Sequence, residues 1–445
     1  MKKKYLDSYI QKISDTHILK KIDQIFQPLA KLSITKVFLL IIEPNDDMKT
    51  LIYLKAIDVG LIPILVPSAW GAYRQNEYMS HFSDVYLIEN QIFSVLGNPK
   101  LAPRKLWNTY GVFSSGSTGR PELSFLSVAG AIKNAQAHAE SMDISNHSTV
   151  IKVLPLDHAF GIIAYVWTII YSGASLLSLN QFCGWADLKK HNKTNSIIHL
   201  TPTWVHFLLN NNEDSIRLKC NVSIGSSTIE NKYIEQFRCY CQAKIYITYG
   251  LTEAGPRVST GQWSIDKNLP DYYYIGKAIK STELRILNED RKIKKTGKGL
   301  LIVKSPSIRK NTKTEDFFKS YLITKDHVYL DHQKNIFLKY DHTEKFKFRD
   351  YLLDLNQISK VINSPCIALS WINKKREFWG LIYVNEKQQK NKILKIINLK
   401  CHPNILVRTM AMPSGNLNKI DIEACCQLLR IELDKSVKIF YSSFV

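Results

Sequence analysis

The chain has 445 residues, 45% hydrophobic and 22% charged, which is enough to bury a large core and to divide into at least two domains. Its 60 Lys and Arg against 39 Asp and Glu leave a net charge of +21. That field suits anionic partners such as nucleic acid, a membrane surface, a phosphorylated ligand or an acidic protein. The lysines are scattered through every segment, although Arg291–Arg349 is denser, with 16 basic and 6 acidic residues. No apolar run approaches the roughly 20 residues that span a bilayer. The basic start MKKKYLDSYIQK is not followed by an apolar signal core, so no secretory peptide is expected. None of the eight cysteines forms a C-x-x-C pair, and no His cluster has metal-ligand spacing, so buried free thiols in a reducing cytoplasm are expected.

The first half alternates apolar runs with helical patterns. VFLLIIE (Val37–Glu43) and LIPILVPS read as strands, and MKTLIYLKAIDVG between them as a helix stopped at Gly60. DVYLIEN and NTYGVFSS continue the strands. A glycine-rich loop, FSSGSTGRPE (Phe113–Glu122), is then expected to lead into the helix AGAIKNAQAHAESMD. STVIKVLPL is a strand, and GIIAYVWTIIYSGASLL (Gly161–Leu177) a buried helix that breaks at Ser172-Gly173. TNSIIHLTPT, NVSIGSS and AKIYITYG complete the pattern. Such repetition predicts an α/β domain with mainly parallel sheet.

The character changes near residue 272. YYYIGKAI, STELRILNE, KGLLIVKS, HVYLDH and NIFLKY are short, turn-bounded strands, predicting an antiparallel, barrel-like region. A compact α+β unit follows. It opens with EKFKFRDYLLDLNQISKVINS, a strand and then a helix near Asp354. It continues through IALSWIN, EFWGLIYVN, KNKILKIINL and NILVRT, and closes with a helix from Asp421. The boundary falls at Asp341–Glu344, giving domains 1–341 and 342–445.

Four stretches carry the chemistry. FSSGSTGRPE offers backbone N–H groups and hydroxyls to an anion, most often a phosphate. It is not the G-x-x-x-x-G-K-[ST] loop, because no lysine follows. YGLTEAGP (Tyr249–Pro256) combines a flat ring, a hydroxyl and a carboxylate after a strand. TKDHVYLDHQKN (Thr324–Asn335) and MPSGNLNKID (Met412–Asp421) come later. Taken singly, each also reads as an ordinary polar turn. In this order and spacing they resemble the adenylate-forming, AMP-binding superfamily: acyl- and aryl-CoA ligases, peptide-synthetase adenylation domains and luciferases. The coumarate–CoA ligase group is the closest flavour, and the resemblance covers nearly the whole chain.

The resemblance implies a large N-terminal adenylate-forming domain and a small mobile C-terminal one. It also implies a role for each matching residue. Ser114, Ser115, Ser117 and Thr118, with the amides around Gly116 and Gly119, would wrap the ATP phosphates. Tyr249 and Gly250 would hold adenine, with Gly225 and Ser226 in the turn beside it. Thr252 would bond the α-phosphate, Glu253 would bind Mg²⁺, and Asp326 would accept the ribose hydroxyls. Lys419, six residues after Pro413, would neutralise the charge that builds during adenylation. His158, in LPLDHAFG, would border the acyl pocket, although a lone His is as well explained as a core residue. The rest of that pocket is expected from the helix after His158, Trp204, Ser223–Ser227, Thr248, Ala254 and Gly255. Trp204 and Trp167 hint at an apolar or aromatic acid.

The implied reaction joins a small-molecule carboxylic acid to ATP as acyl-AMP. The acyl group then passes to a thiol, either coenzyme A or the phosphopantetheine of an acidic acyl or peptidyl carrier protein, after the C-terminal domain pivots near Thr343-Glu344. No nucleic acid, membrane span or metal other than Mg²⁺ is expected. The departures from the family pattern are Glu122 for a lysine, Lys325 for a glycine, Asp341 for an arginine, Asp350 for a glycine and Asn418 for a glycine. Glu122, Asp341 and Asp350 support a rival reading, a catalytically impaired protein of this fold that binds nucleotide or acyl ligand without turnover.

Overall fold

The computed structural model describes 5–10, 17–30, 35–67, 82–114, 122–156, 158–179, 185–210, 217–267, 269, 271–311 and 314–339. Beyond these it describes the strands between 345 and 444. Contacts divide the chain into two units, one of residues 1–114 and 123–340, the other of the remainder.

The first unit holds two sheets. The smaller has six strands: β1 (Phe38–Ile42), β2 (Ile62–Leu65), β3 (Val85–Glu89), β4 (Ile92–Leu96), β5 (Thr109–Ser114) and β6 (Glu122–Ser127). Their order is β4-β3-β1-β2-β5-β6. β1 pairs parallel with β2 and β3, and β2 with β5, so the runs FLLII and IPIL are buried nearly throughout, as a sheet covered on both faces requires. Leu40, Ile62, Ile64, Leu87 and Phe113 anchor its core. The helix Asp46–Asp58 starts where the Asn45 side chain accepts a hydrogen bond from the Met48 N–H, with Asp46 and Asp47 in its first turn. It ends before Gly60, as the sequence predicts.

The glycine-rich loop does not open a helix. β6 follows it, and Ser127 at the end of β6 caps the helix Val128–Ser141 by accepting from the Gly130 N–H. Glu122 is exposed at the first position of β6.

The larger sheet has thirteen strands. Its parallel part comprises β7 (Thr149–Lys152), β8 (Ser175–Ser178), β9 (Ser196–Leu200), β10 (Asn221–Ile224) and β11 (Ile245–Gly250). The remainder is β12 (Arg257–Gln262), β13 (Tyr272–Ala278), β14 (Glu283–Leu287), β15 (Ile293–Lys294), β16 (Gly297–Lys304), β17 (Phe317–Phe318), β18 (Tyr321–Leu330) and β19 (Ile336–Lys339). The predicted antiparallel region is not separate from the parallel one. β12 pairs antiparallel with both β11 and β13 and so joins the two into one sheet.

The apolar stretch after His158 is helical from Ala159 to Ser172, with π-type turns over Ile162–Trp167, and stops at Gly173 with φ +72°. Trp167 packs against the N-terminal helices: its indole N–H donates to the Tyr53 hydroxyl at 3.0 Å and its ring meets Tyr5 edge-on.

In the second unit, β20 (Lys345–Phe348) and β21 (Tyr351–Asp354) form an antiparallel pair. β22 (Cys366–Asn373), β23 (Arg376–Val384), β24 (Ile405–Thr409) and β25 (Lys438–Phe444) form a sheet of order β24-β23-β22-β25. The predicted helices near Asp354 and from Asp421 lie outside the described residues. Among the described residues, no helix is long and apolar enough to cross a membrane.

Candidate active site

The C-terminal ends of β10 and β11, the single turn after β11 and the middle of β18 gather the residues singled out in the first unit. β11 carries Tyr249 and Gly250 to its end, where Tyr249 is half-buried and Gly250 exposed. Thr252–Ala254 then form one turn of 3₁₀ helix, closed by Gly255 at φ +107°. A side chain on Gly255 would meet Ser307 at 2.1 Å, so both the conformation and the space require glycine. Thr252 is buried, while Glu253 is partly open. The Glu253 carboxylate stands close enough to Tyr249 for its charge to act on that hydroxyl. A partly open carboxylate fits one oxygen ligand of Mg²⁺, which commonly draws its remaining ligands from phosphates and water. No group of three metal-ligating side chains occurs among the described residues.

Thr324-Lys325-Asp326 is not a turn after a strand. It lies inside β18, in a bulge: Leu300 pairs with His327 and Ile302 with Ile323, so 324–326 stand opposite Leu301 alone. Lys325 takes φ +68°, the left-handed conformation that the family's glycine adopts easily. The Thr324 hydroxyl donates to the Leu301 carbonyl at 2.8 Å and accepts from the Asp326 N–H at 3.2 Å. The bulge turns the Asp326 carboxylate onto the Tyr249 hydroxyl, which donates to its Oδ2 across 77 positions of sequence. Burial first, and the Asp326 charge second, push the Tyr249 hydroxyl well above its ordinary range, so it stays a donor.

Gly225 is buried at the end of β10, where an added Cβ would stand 2.3 Å from the Thr248 hydroxyl. Ser226 beside it takes φ +88°, an unusual conformation for a residue with a side chain. Ser114 ends β5, half-buried. His158 occupies the position before the helix that starts at Ala159, and its carbonyl accepts from the Ile162 N–H at 3.1 Å. Trp204 is buried in the helix Pro202–Asn210, edge-on to Phe207. Ser115, Gly116, Ser117, Thr118, Gly119, Asp341, Asp350 and Lys419 lie outside the described residues.

Sequence reasoning missed a buried polar group beneath these strand ends. Arg257, the first residue of β12, is 2% exposed. Its backbone is gripped by Asn134, which accepts from the Arg257 N–H at 3.0 Å and donates to its carbonyl at 2.8 Å. Its Nη1 donates to the Thr248 hydroxyl at 2.9 Å, and the guanidinium stacks over Phe160 at 3.6 Å. Burial lowers its pKa to about 9. His138 and His199 are fully buried, with ring centroids 5.3 Å apart. Burial, then the Arg257 charge, lowers both well below the ordinary imidazole range, so both are neutral. The signal in the sequence was the charged Arg257 opening RVSTGQ, a buried strand.

The sequence model of the AMP-binding enzyme family matches residues 74–311, just over half of the chain, and the chain belongs to that family. A stretch of 183 residues is 27% identical to YngI of Bacillus subtilis (strain 168), a candidate acyl-CoA synthetase by its name. That match covers 39% of this chain and spans about a third, 33%, of YngI. Among solved structures, the fold resembles o-succinylbenzoate coenzyme A synthetase (MenE) of B. subtilis with ATP and magnesium ion, at 16% identity and a TM-score of 0.66, covering 96% of this chain and 99% of that one. It also resembles the ATP-bound RpMatB–BxBclM chimera B3, at 12% identity and a TM-score of 0.70, covering 97% and 100%. These structural likenesses establish the α/β adenylate-forming fold.

Proposed function

We propose that the protein activates a carboxylic acid with ATP and magnesium as acyl-AMP, releasing pyrophosphate, and then passes the acyl group to a thiol. The observation that carries this reading is the Tyr249–Asp326 pair, which brings two of the four motifs together at one strand end. Asp326 has acceptors only, the chemistry a ribose diol needs, and Tyr249 orients it. Thr252 donates its hydroxyl to the α-phosphate, and Glu253 holds the metal. Ser114 and the loop Ser115–Gly119 take the remaining phosphates. Gly225, Ser226 and Gly250 leave room for adenine against the strand ends, and His158 borders the acid. Magnesium, when bound, supplies charge neutralisation at the phosphates.

The protein's own work is positioning and charge stabilisation, because the carboxylate itself is the nucleophile. Lys419 supplies the positive charge where the carboxylate meets the α-phosphorus. Residues 342–445 act as a mobile domain that carries Lys419 to the reaction and withdraws it before the thiol enters. Coenzyme A is favoured as that thiol by the names of YngI and MenE, with carrier-protein phosphopantetheine as the alternative. A cytoplasmic location is part of this reading, and the free thiols of Cys220, Cys239 and Cys241 accord with it. Lys419→Ala should lower pyrophosphate release at least a hundredfold while ATP still binds. Unchanged release in that variant would remove Lys419 from the mechanism.

A further inference from the structure

We infer that Arg257 determines acid specificity, and that the acid it selects carries a second carboxylate. The inference rests on the acid-activating reading above and names its substrate class.

The strands β9 to β12 are buried, yet they carry a polar stripe on one face. His199 pairs with Ser223, and Ser223 with Tyr246, across β9, β10 and β11. Thr248, two residues on from Tyr246, shares that face and stands opposite Thr260 of β12. All four stripe residues, His199, Ser223, Thr248 and Thr260, are buried. Both ring nitrogens of His199 and of His138, and the hydroxyls of Ser223 and Thr260, find no hydrogen-bond partner. So many unmet polar atoms in one buried region are uncommon in a finished core.

Arg257 gives the stripe its charge. Of its nitrogens only Nη1 is engaged, by Thr248, while Nε and Nη2 find no hydrogen-bond partner. Their N–H groups form the side-on edge of the guanidinium, the fork that matches the two oxygens of a carboxylate. Phe160 covers one face of the group but leaves that edge in plane. No Asp or Glu among the described residues pairs with it. The titratable groups around it are His138, His199 and Tyr165, none of which supplies a negative charge at neutral pH. A buried cation without a counter-ion is costly, and a bound carboxylate would supply one. The reacting carboxylate must meet ATP near Thr252 and Glu253, beside the exposed Gly250. The enclosed fork is left for a different group of the same molecule.

The test uses matched acids on the full-length protein: hexanoate against hexanedioate, octanoate against octanedioate, and benzoate against the three benzenedicarboxylates. Binding is read as the shift in melting temperature, and turnover as ATP–pyrophosphate exchange. At least one dicarboxylate should bind ten times more tightly than its monocarboxylate partner. Arg257→Met should erase that preference, and Arg257→Lys, which keeps the charge but loses the fork, should retain only part of it. The inference is overturned if no dicarboxylate binds, if every monocarboxylate does as well as its partner, or if a folded Arg257→Met protein keeps the preference. The comparison in the unaltered protein decides the matter even if the variants do not fold. Exchange driven best by monocarboxylates would leave the acid-activating reading standing without this inference. Arg257-dependent binding of a dicarboxylate without exchange would do the reverse.

Discussion

Strands β1 to β3 of the six-stranded sheet and strands β9 to β12 of the thirteen-stranded sheet are largely buried, yet they are furnished differently. In β1, β2 and β3 the buried positions are aliphatic or aromatic. In β9 to β12 the buried positions include His199, Ser223, Thr248, Arg257 and Thr260. Strands β1 to β3 follow the rule that covered strands bury apolar surface, although Thr109 and Ser124 of the same sheet are buried too, while β9 to β12 depart from it with several polar residues below the ends where Tyr249, Thr252 and Glu253 stand. Of the buried polar residues, those on β9 to β12 are the ones that stand next to the strand ends carrying the candidate site.

Substitutions in the two sheets should act differently. The largest effect belongs to the apolar sheet. Ile64→Ala should lower unfolding stability by about 2–5 kcal/mol, read by urea melts, without changing the ranking of acids in an exchange assay. A changed ranking would mean that the two sheets are not functionally distinct.

The polar stripe should show in the pH dependence of stability. In the folded protein His138 and His199 have pKa values well below 6.5, so below that pH the unfolded chain binds protons that the folded chain does not. Their effect is absent above pH 6.5, and stability falls as pH drops further, by up to about 1.4 kcal/mol per unit per imidazole. A His138→Asn, His199→Asn protein should show a flatter decline between pH 7.5 and 5.5. An unchanged slope would contradict the neutral pair.

At the strand ends, Tyr249→Phe should weaken ATP binding about tenfold, the worth of one hydrogen bond to a charged group. Asp326→Asn should do at least as much, and titration calorimetry would read both. Equal affinity in all three proteins would detach this pair from nucleotide recognition. The smallest effect is structural. Lys325→Gly should stabilise the protein by about 1 kcal/mol, because lysine holds a left-handed conformation in the β18 bulge.

The same contrast explains what the sequence revealed. Parallel strands such as FLLII and IYITYG were legible because continuous apolar runs encode burial on both faces. The helix break at Gly173 was legible because few other residues end a helix in that way. β6 was missed because ELSFLS is short and abuts a strong helical pattern. The bulge at Thr324–Asp326 was hidden because lysine occupies a position that glycine would have advertised. Arg257 was read past because its meaning depends on Asn134, Phe160 and Thr248, which lie far from or beyond its own segment. Pairings between distant strands leave no periodic trace in one chain.

ATP–pyrophosphate exchange across a broad panel of acids addresses the central claim most directly. Magnesium-dependent exchange with at least one acid, and none without acid, is the predicted result. ATP binding without exchange for any acid would contradict it.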